Sequence, residues 1–214
     1  MVYLPPHFEE TRSEAVRELI RDHPLGTVVQ QGEHGLIANH IPFLLDAAAG
    51  ERGTLIAHVA RNNELWRVAA AGGESLVIFQ GPDAYISPNW YLTKQQTHEV
   101  VPTYNYTVVH AYGEIIVHDD EKWVRGVIGK LTKAMEASQP APWKMADAPR
   151  AYLEQMVTQI VGIEIPITRL IAKAKLSQNR VLADREGAIA GLRTTGSASD
   201  AATAELMETL LPRG

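Results

Sequence analysis

Residues 26 to 45 restrict this chain more than any other stretch. "GTVVQQ" and "GLIANHIPFLL" are both rich in β-branched and other apolar residues, and Gly32 and Gly35 flank the short turn between them. Two such runs around a glycine-bounded turn predict an antiparallel hairpin. No regular βαβαβ alternation follows it, which argues against a doubly wound parallel sheet.

The rest of the chain extends that start. Thr11 to Asp22 has Ala15, Val16, Leu19 and Ile20 at helical spacing, with Thr11 or Ser13 as cap and Pro24 near its end. "GTLIAHVA" (53–60) reads as a third strand and "NNELWRVAAAGG" (62–73) as a short helix closed by Gly72 and Gly73. "SLVIFQ" (75–80) is a fourth strand, and Ala84 to Ser87 a short fifth. "NYTVVHAYGEIIVH" (105–118) is one long strand, bent or bulged at Gly113. Asp119 or Asp120 caps a helix over 121–137, a proline-rich connector follows, and 151–161 is helical. "GIEIPITRLIAKAKL" (162–176) reads as a single last strand with Pro166 at an edge or bulge. Ser177 is placed to cap a helical region running to about Leu192, and the end of the chain is a flexible joint with a weak tail helix. The sum is a mainly β chain with flanking helices (α+β). It predicts a small closed or partly open antiparallel β-barrel. We expect one domain over residues 1–214, with a C-terminal helical segment from about residue 177.

Composition excludes several functions. The formal net charge is −5 and the pI about 5.9. A nucleic-acid binder carries a basic face, so direct DNA binding is disfavoured. Lys173, Lys175, Arg180 and Arg185 are the best candidates for a local basic patch. There is no cysteine, which removes thiolate chemistry and the commonest structural zinc ligand. No apolar run approaches the roughly 18 residues of a membrane helix, and the first residues lack the pattern of a secretory signal. A cytoplasmic location with no membrane partner is the expectation. No nucleophile elbow, Walker loop, G-x-G-x-x-G or H-E-x-x-H motif is present. His110 and His118 have no carboxylate at ligand spacing, so no metal site is expected.

Three segments remain that ordinary loops do not explain. "FQGPDAYISPNWYLTK" (79–94) puts Ser87, Asn89, Trp90, Tyr91 and Lys94 into a proline-stiffened stretch. "VPTYNY" (101–106) supplies Thr103, Tyr104, Asn105 and Tyr106, and "HVARNN" (58–63) supplies His58, Arg61, Asn62 and Asn63. Aromatic faces suit a planar ring, amides and hydroxyls suit a sugar-like chain, and Arg61 with Lys94 suits a phosphate. Flavin mononucleotide (FMN) has those three parts. The alternative for Arg61 is a surface ion pair with Glu64. "KLSQNR" (175–180) adds Lys175, Gln178, Asn179 and Arg180, either at a ligand or dimer contact or as solvated residues at a capped helix start.

"HIPFLL", "HVARNNELW", "FQGPDAYISPNWY", "VPTYNY" and "KLSQNR", in this order, resemble the PaiB-type family of FMN-binding negative transcriptional regulators. The resemblance runs from about Tyr3 to Leu192. It implies an FMN-binding split β-barrel, antiparallel and Greek-key-like, and a homodimer with flavin near the subunit interface. The family usually has tryptophan where this chain has Tyr104, so ring stacking at that position has less area to work with. Three functions stay open: a regulatory FMN-binding protein, a flavin-dependent oxidoreductase such as a reductase or a pyridoxamine-phosphate-oxidase-like enzyme, and a haem-binding split barrel with His58 or His110 as ligand.

Overall fold

A computed structural model describes residues 2–212. The N-terminal hairpin forms as expected: β1 (Leu25–Gly32) pairs antiparallel with β2 (Gly35–Pro42), from Leu25↔Pro42 to Gly32↔Gly35. The remaining strands are β3 (Leu44–Asp46), β4 (Thr54–Ala60), β5 (Glu74–Ile86), β6 (Thr103–Glu114), β7 (Ile116–His118), β8 (Ile160–Pro166) and β9 (Arg169–Lys175). They make a five-stranded sheet in the order β2-β1-β5-β6-β9 and a four-stranded sheet in the order β3-β4-β8-β7. The fold is therefore α+β with two antiparallel sheets, the open alternative among the two barrel forms predicted. The helices are α1 (Ser13–Asp22), α2 (Leu65–Ala69), α3 (Lys94–Thr97), α4 (Glu121–Met135), α5 (Arg150–Val157), α6 (Leu182–Arg193) and α7 (Ala198–Thr209). Among the described residues, no helix is long and apolar enough to cross a membrane.

Three sequence-predicted strands are in fact broken. Residues 105–118 do not form one bent strand: the break falls at Ile115, and β6 and β7 belong to different sheets. Residues 162–176 likewise divide at Ile167 and Thr168 into β8 and β9. The hairpin's second run behaves the same way, ending at Pro42 and resuming as β3 after the buried Phe43. An apolar run reads continuously through such a junction because both of its halves, and the corner itself, are buried. The opposite error occurs in β5, which continues from Glu74 to Ile86 through Gly81, Pro82 and Asp83. Its pairing to β1 covers Leu76 to Ile78, so Pro82 lies past the stretch paired to that strand.

The chain's contacts divide it into two compact units. The first comprises Met1–Val16, Gln80–Val109 and Ile171–Gly214; the second comprises Arg17–Phe79 and His110–Leu170. In the second unit, β4 is buried on both faces. Leu55, Ala57 and Val59 stand opposite Ile165, Ile163 and Val161 of β8, all nearly inaccessible. Ile56, on the other face, packs with Val127 and Leu131 of α4. A strand covered on both sides needs this near-continuous apolar run. Asp120 caps α4 by accepting from the Trp123 N–H at 2.8 Å. In the first unit, Ala84, Ile86, Tyr91, Ala174 and Leu176 form a core with Ala188, Ile189 and Leu192 of α6 and Ala204 and Met207 of α7. The tail helix is thus part of a core, although its mixed sequence reads as weak.

Candidate ligand site

In the first unit, the proline-aromatic segment is a shaped turn. Ser87 accepts from the Asn89 N–H at 3.2 Å and starts a 3-10 turn over Pro88–Trp90. Lys94 donates to the Asn89 side-chain oxygen. Trp90 rests against α6, where Gly187 and Gly191 leave room for its carbonyl and its indole. Tyr91 is 1% exposed; burial pushes its phenol pKa up, and the nearby Arg180 opposes the shift. The Arg180 guanidinium lies 4.9 Å from the Tyr91 ring centre. The carboxylate of Asp184, on α6, accepts from Thr93 twice, from its N–H at 2.9 Å and from its hydroxyl at 2.7 Å. The segment is therefore fastened to α6 through Trp90 and Thr93 and to the turn before it through Tyr91. Trp90 and Tyr91 spend much of their ring surface on that attachment.

"VPTYNY" and "KLSQNR" meet beside it. Lys175, at the end of β9, donates to the Thr103 hydroxyl and to the Tyr104 carbonyl. Asn105 is fully buried and donates to the Ser177 hydroxyl at 2.9 Å. Ser177 does not cap a helix. It has φ +63 in a turn closed by the Arg180 N–H on the Ser177 carbonyl at 3.0 Å, and α6 begins only at Leu182. Gln178 secures the turn by accepting from the Leu176 N–H and donating to the Ala174 carbonyl. Asn179 is exposed. Tyr104 is 56% exposed and meets the half-exposed Tyr85 edge-on, with ring centres 5.9 Å apart. The strained backbone at Ser177 is held by the hydroxyl's bond to Asn105. Ser177→Ala keeps the strain and removes the partner of a buried amide, for an expected loss of about 1–3 kcal/mol. Ser177→Gly removes both, so urea denaturation should rank wild type above Ser177→Gly and Ser177→Gly above Ser177→Ala.

The remaining predicted residues lie in the second unit. Arg61 does not pair with Glu64. Its guanidinium grips Asp119 through two bonds, one of 2.9 Å, and also donates to the carbonyls of Thr158 at 2.7 Å and Ile160 at 3.1 Å. The pair holds the Asp119 carboxyl below its ordinary pKa. Asn63 accepts from the Leu65 N–H at the start of α2 and donates to Asn39. Asn62 is exposed. His58 is half-buried, its Nδ1 has no partner, and burial lowers its pKa. His110 repeats all three features. His118 lies on β7, apart from His110 on β6, and stacks on Trp123 with ring centres 3.9 Å apart. A cavity of about 540 Å³ opens beside α4, lined by Asp46, Asp120, Trp123, Lys130 and Glu164 among others. Several of its charged groups are already engaged: Asp46 faces Lys130, Glu164 faces His118, and Asp120 caps α4. Among the described residues, no group of three or more His, Asp or Glu side chains is arranged to hold a metal ion.

Similarity to known proteins defines the chain's family. Residues 2–169 match the family described as "Putative FMN-binding domain", and the chain belongs to it. It is 32% identical to the protease synthase and sporulation protein PAI 2 of Bacillus subtilis, over 99% of both chains. It is also 34% identical to an uncharacterized protein of Emericella nidulans, over 92% of both. Among solved structures, the FAD and heme binding protein of Mycobacterium smegmatis superposes with a TM-score of 0.57 at 17% identity, covering 78% of this chain and 73% of that one. The flavocytochrome Anf3 of Azotobacter vinelandii gives 0.56 at 11% identity, covering 78% and 69%. These two likenesses concern the fold. The segment holding α6 and α7 lies beyond the matched domain, within the similarity to PAI 2.

Proposed function

We propose that the chain binds FMN as a homodimer and serves as a regulator of the PaiB type, acting without direct contact to DNA. The observation that carries this reading is the exposed edge of the first unit. Tyr85 and Tyr104 present aromatic surface to solvent next to Thr103 and Lys175, while Leu92 and Val101 are 47% and 65% exposed. Tyr85 and Tyr104 are in ring contact, and exposed aromatic surface of this kind marks a binding face. A flavin ring fits the family's FMN-binding domain, and a second subunit is the occupant that the PaiB-type resemblance implies. Two-fold pairing would create two equivalent sites. Ser87, Asn89, Trp90, Tyr91, Lys94, Thr103, Asn105, Tyr106, Lys175, Gln178 and Asn179, all in the first unit, belong to this reading as contacts or as their supports. Bound flavin would supply the redox chemistry, and the protein's part is to bind and orient it. The net charge of −5 gives no electrostatic basis for holding a duplex.

A haem reading has one observation in its favour. His58 and His110 are both half-buried, with lowered pKa and a free Nδ1, and a neutral imidazole is what iron takes. One titration separates the two. We expect added FMN to be bound with quenched flavin fluorescence, and haemin to give no Soret shift that His58→Ala or His110→Ala abolishes. Sedimentation velocity should show a dimer that FMN strengthens on dilution. A micromolar monomer that binds FMN tightly would refute the interface site, and a histidine-dependent Soret band would favour haem.

A further inference from the structure

We propose that Lys173, Lys175 and Arg180 form a binding site for a phosphate-type dianion in the first unit. Lys173 and Lys175 are alternate residues of β9 and share one face of the strand. The left-handed turn at Ser177 follows directly on β9 and carries Arg180, whose guanidinium lies 4.9 Å from the Tyr91 ring centre. The three charges are near enough to act on each other. Lys175 has its pKa lowered, first by burial and then by Lys173 and Arg180.

Like charges in a part-buried place repel, and folded proteins normally set carboxylates among them. Here none does so. Glu9 bridges Lys173 through the backbone alone, and its side chain is exposed without an ion pair to it. Asp184 is committed to Thr93 through both oxygens. The cations are held by neutral groups instead. Lys173, only 8% exposed, donates to the Tyr3 carbonyl at 3.2 Å and lies 5.4 and 5.2 Å from the ring centres of Tyr3 and Tyr106. Lys175 is held by the Thr103 hydroxyl and the Tyr104 carbonyl, and Arg180 leans on the Tyr91 ring. Carbonyls, a hydroxyl and aromatic faces fix an ammonium or guanidinium in place without cancelling its charge. The result is a positive site whose geometry is set before any ligand arrives. Arg61, the other phosphate candidate, has its charge matched by Asp119. As applied to FMN the inference rests on the flavin reading above, and it places the phosphate end at β9; the anion site itself stands without it.

The test uses the full chain with two probes. Inorganic phosphate is compared with chloride at equal ionic strength by thermal unfolding, in the wild type, Lys175→Met, Arg180→Gln and, as a control, Lys130→Met. FMN and riboflavin affinities are measured on the same proteins. We expect a saturable rise in Tm with phosphate that Lys130→Met keeps and the two site variants lose, and that acetate does not reproduce. FMN binding should weaken about tenfold or more in Lys175→Met, with riboflavin nearly unchanged, as expected for a lost charge-assisted contact. A phosphate response confined to the wild type and Lys130→Met, with no binding of either flavin, would support the dianion site and sink the flavin reading. No phosphate response in the wild type, or one that survives in both site variants, overturns the proposal, and equal loss of FMN and riboflavin overturns its application to the FMN phosphate. Arg180 is half-exposed on a turn, so its variant reads out the site even if Lys175→Met fails to fold.

Discussion

A single methyl group at Gly187 should destabilise the first unit by about 3 kcal/mol, the upper part of the range for overpacking a fixed site. A Cβ built on Gly187 lands on the carbonyl oxygen of Trp90, well inside van der Waals contact. That neighbour is backbone, so no side-chain rotation relieves the clash. Either the 3-10 turn at Pro88–Trp90 moves off α6, or the helix moves. Gly126→Ala is the counterpart, because Gly126 is an exposed position of α4 with nothing within 4 Å of the added carbon. There the substitution should stabilise by up to about 1 kcal/mol through helix propensity. Two glycine-to-alanine changes in two helices are thus expected to have opposite signs, measurable by urea denaturation followed by tryptophan fluorescence. If Gly187→Ala is neutral, the turn does not rest on α6. Flavin affinity should fall with Gly187→Ala, because the displaced turn carries Ser87, Asn89, Tyr91 and Lys94.

That contact also explains what sequence reading caught and what it missed. The oddity of residues 79–94 was visible from their composition alone. The reason for it was only half visible. Aromatics and a lysine in a stiff loop look like ligand groups, but Trp90 is seated on glycines about 100 positions later in the chain, and nothing local to either segment announces such a pairing. Ser177 failed for a similar reason. A serine ahead of an apolar-periodic run has the local look of an N-cap, while its conformation is set by the buried amide of Asn105, 72 residues away. Elements governed by short-range signals came out correctly, as with Gly32 and Gly35 around the hairpin and Asp120 before α4. Strand junctions at Phe43, Ile115 and Ile167 were hidden because each is buried at 7% exposure or less, so apolar character persists across the corner. The cation cluster was partly legible, since Lys173, Lys175 and Arg180 are close in sequence. That they lack carboxylate partners is a property of three-dimensional packing.

Removing the Asp184 carboxylate should cost the first unit about 2–4 kcal/mol, and the loss should be largely recovered by asparagine. Asp184 is 2% exposed and accepts both the N–H and the hydroxyl of Thr93. Hydrogen bonds to a charged acceptor are worth about 1.5–3 kcal/mol each, and Asp184→Ala loses two while leaving two part-buried donors unpaired. In Asp184→Asn the side-chain oxygen still accepts from the Thr93 N–H. The new amide group donates to the Thr93 hydroxyl, which turns from donor to acceptor. Thr93→Val removes only the second bond, for about 1.5–3 kcal/mol. The double variant Asp184→Ala with Thr93→Val should then be no worse than Asp184→Ala by more than a few tenths of a kcal/mol, the non-additivity that a direct contact produces. Full additivity would show that the two residues act separately. The same variants test how the fastening reaches the ligand. Thr93 and Lys94 are adjacent, and Lys94 is tied to Asn89, so freeing Thr93 loosens the turn from its far end while leaving Lys175 and Arg180 in place. FMN and riboflavin should therefore weaken together in Asp184→Ala, in contrast to the FMN-selective loss expected for Lys175→Met.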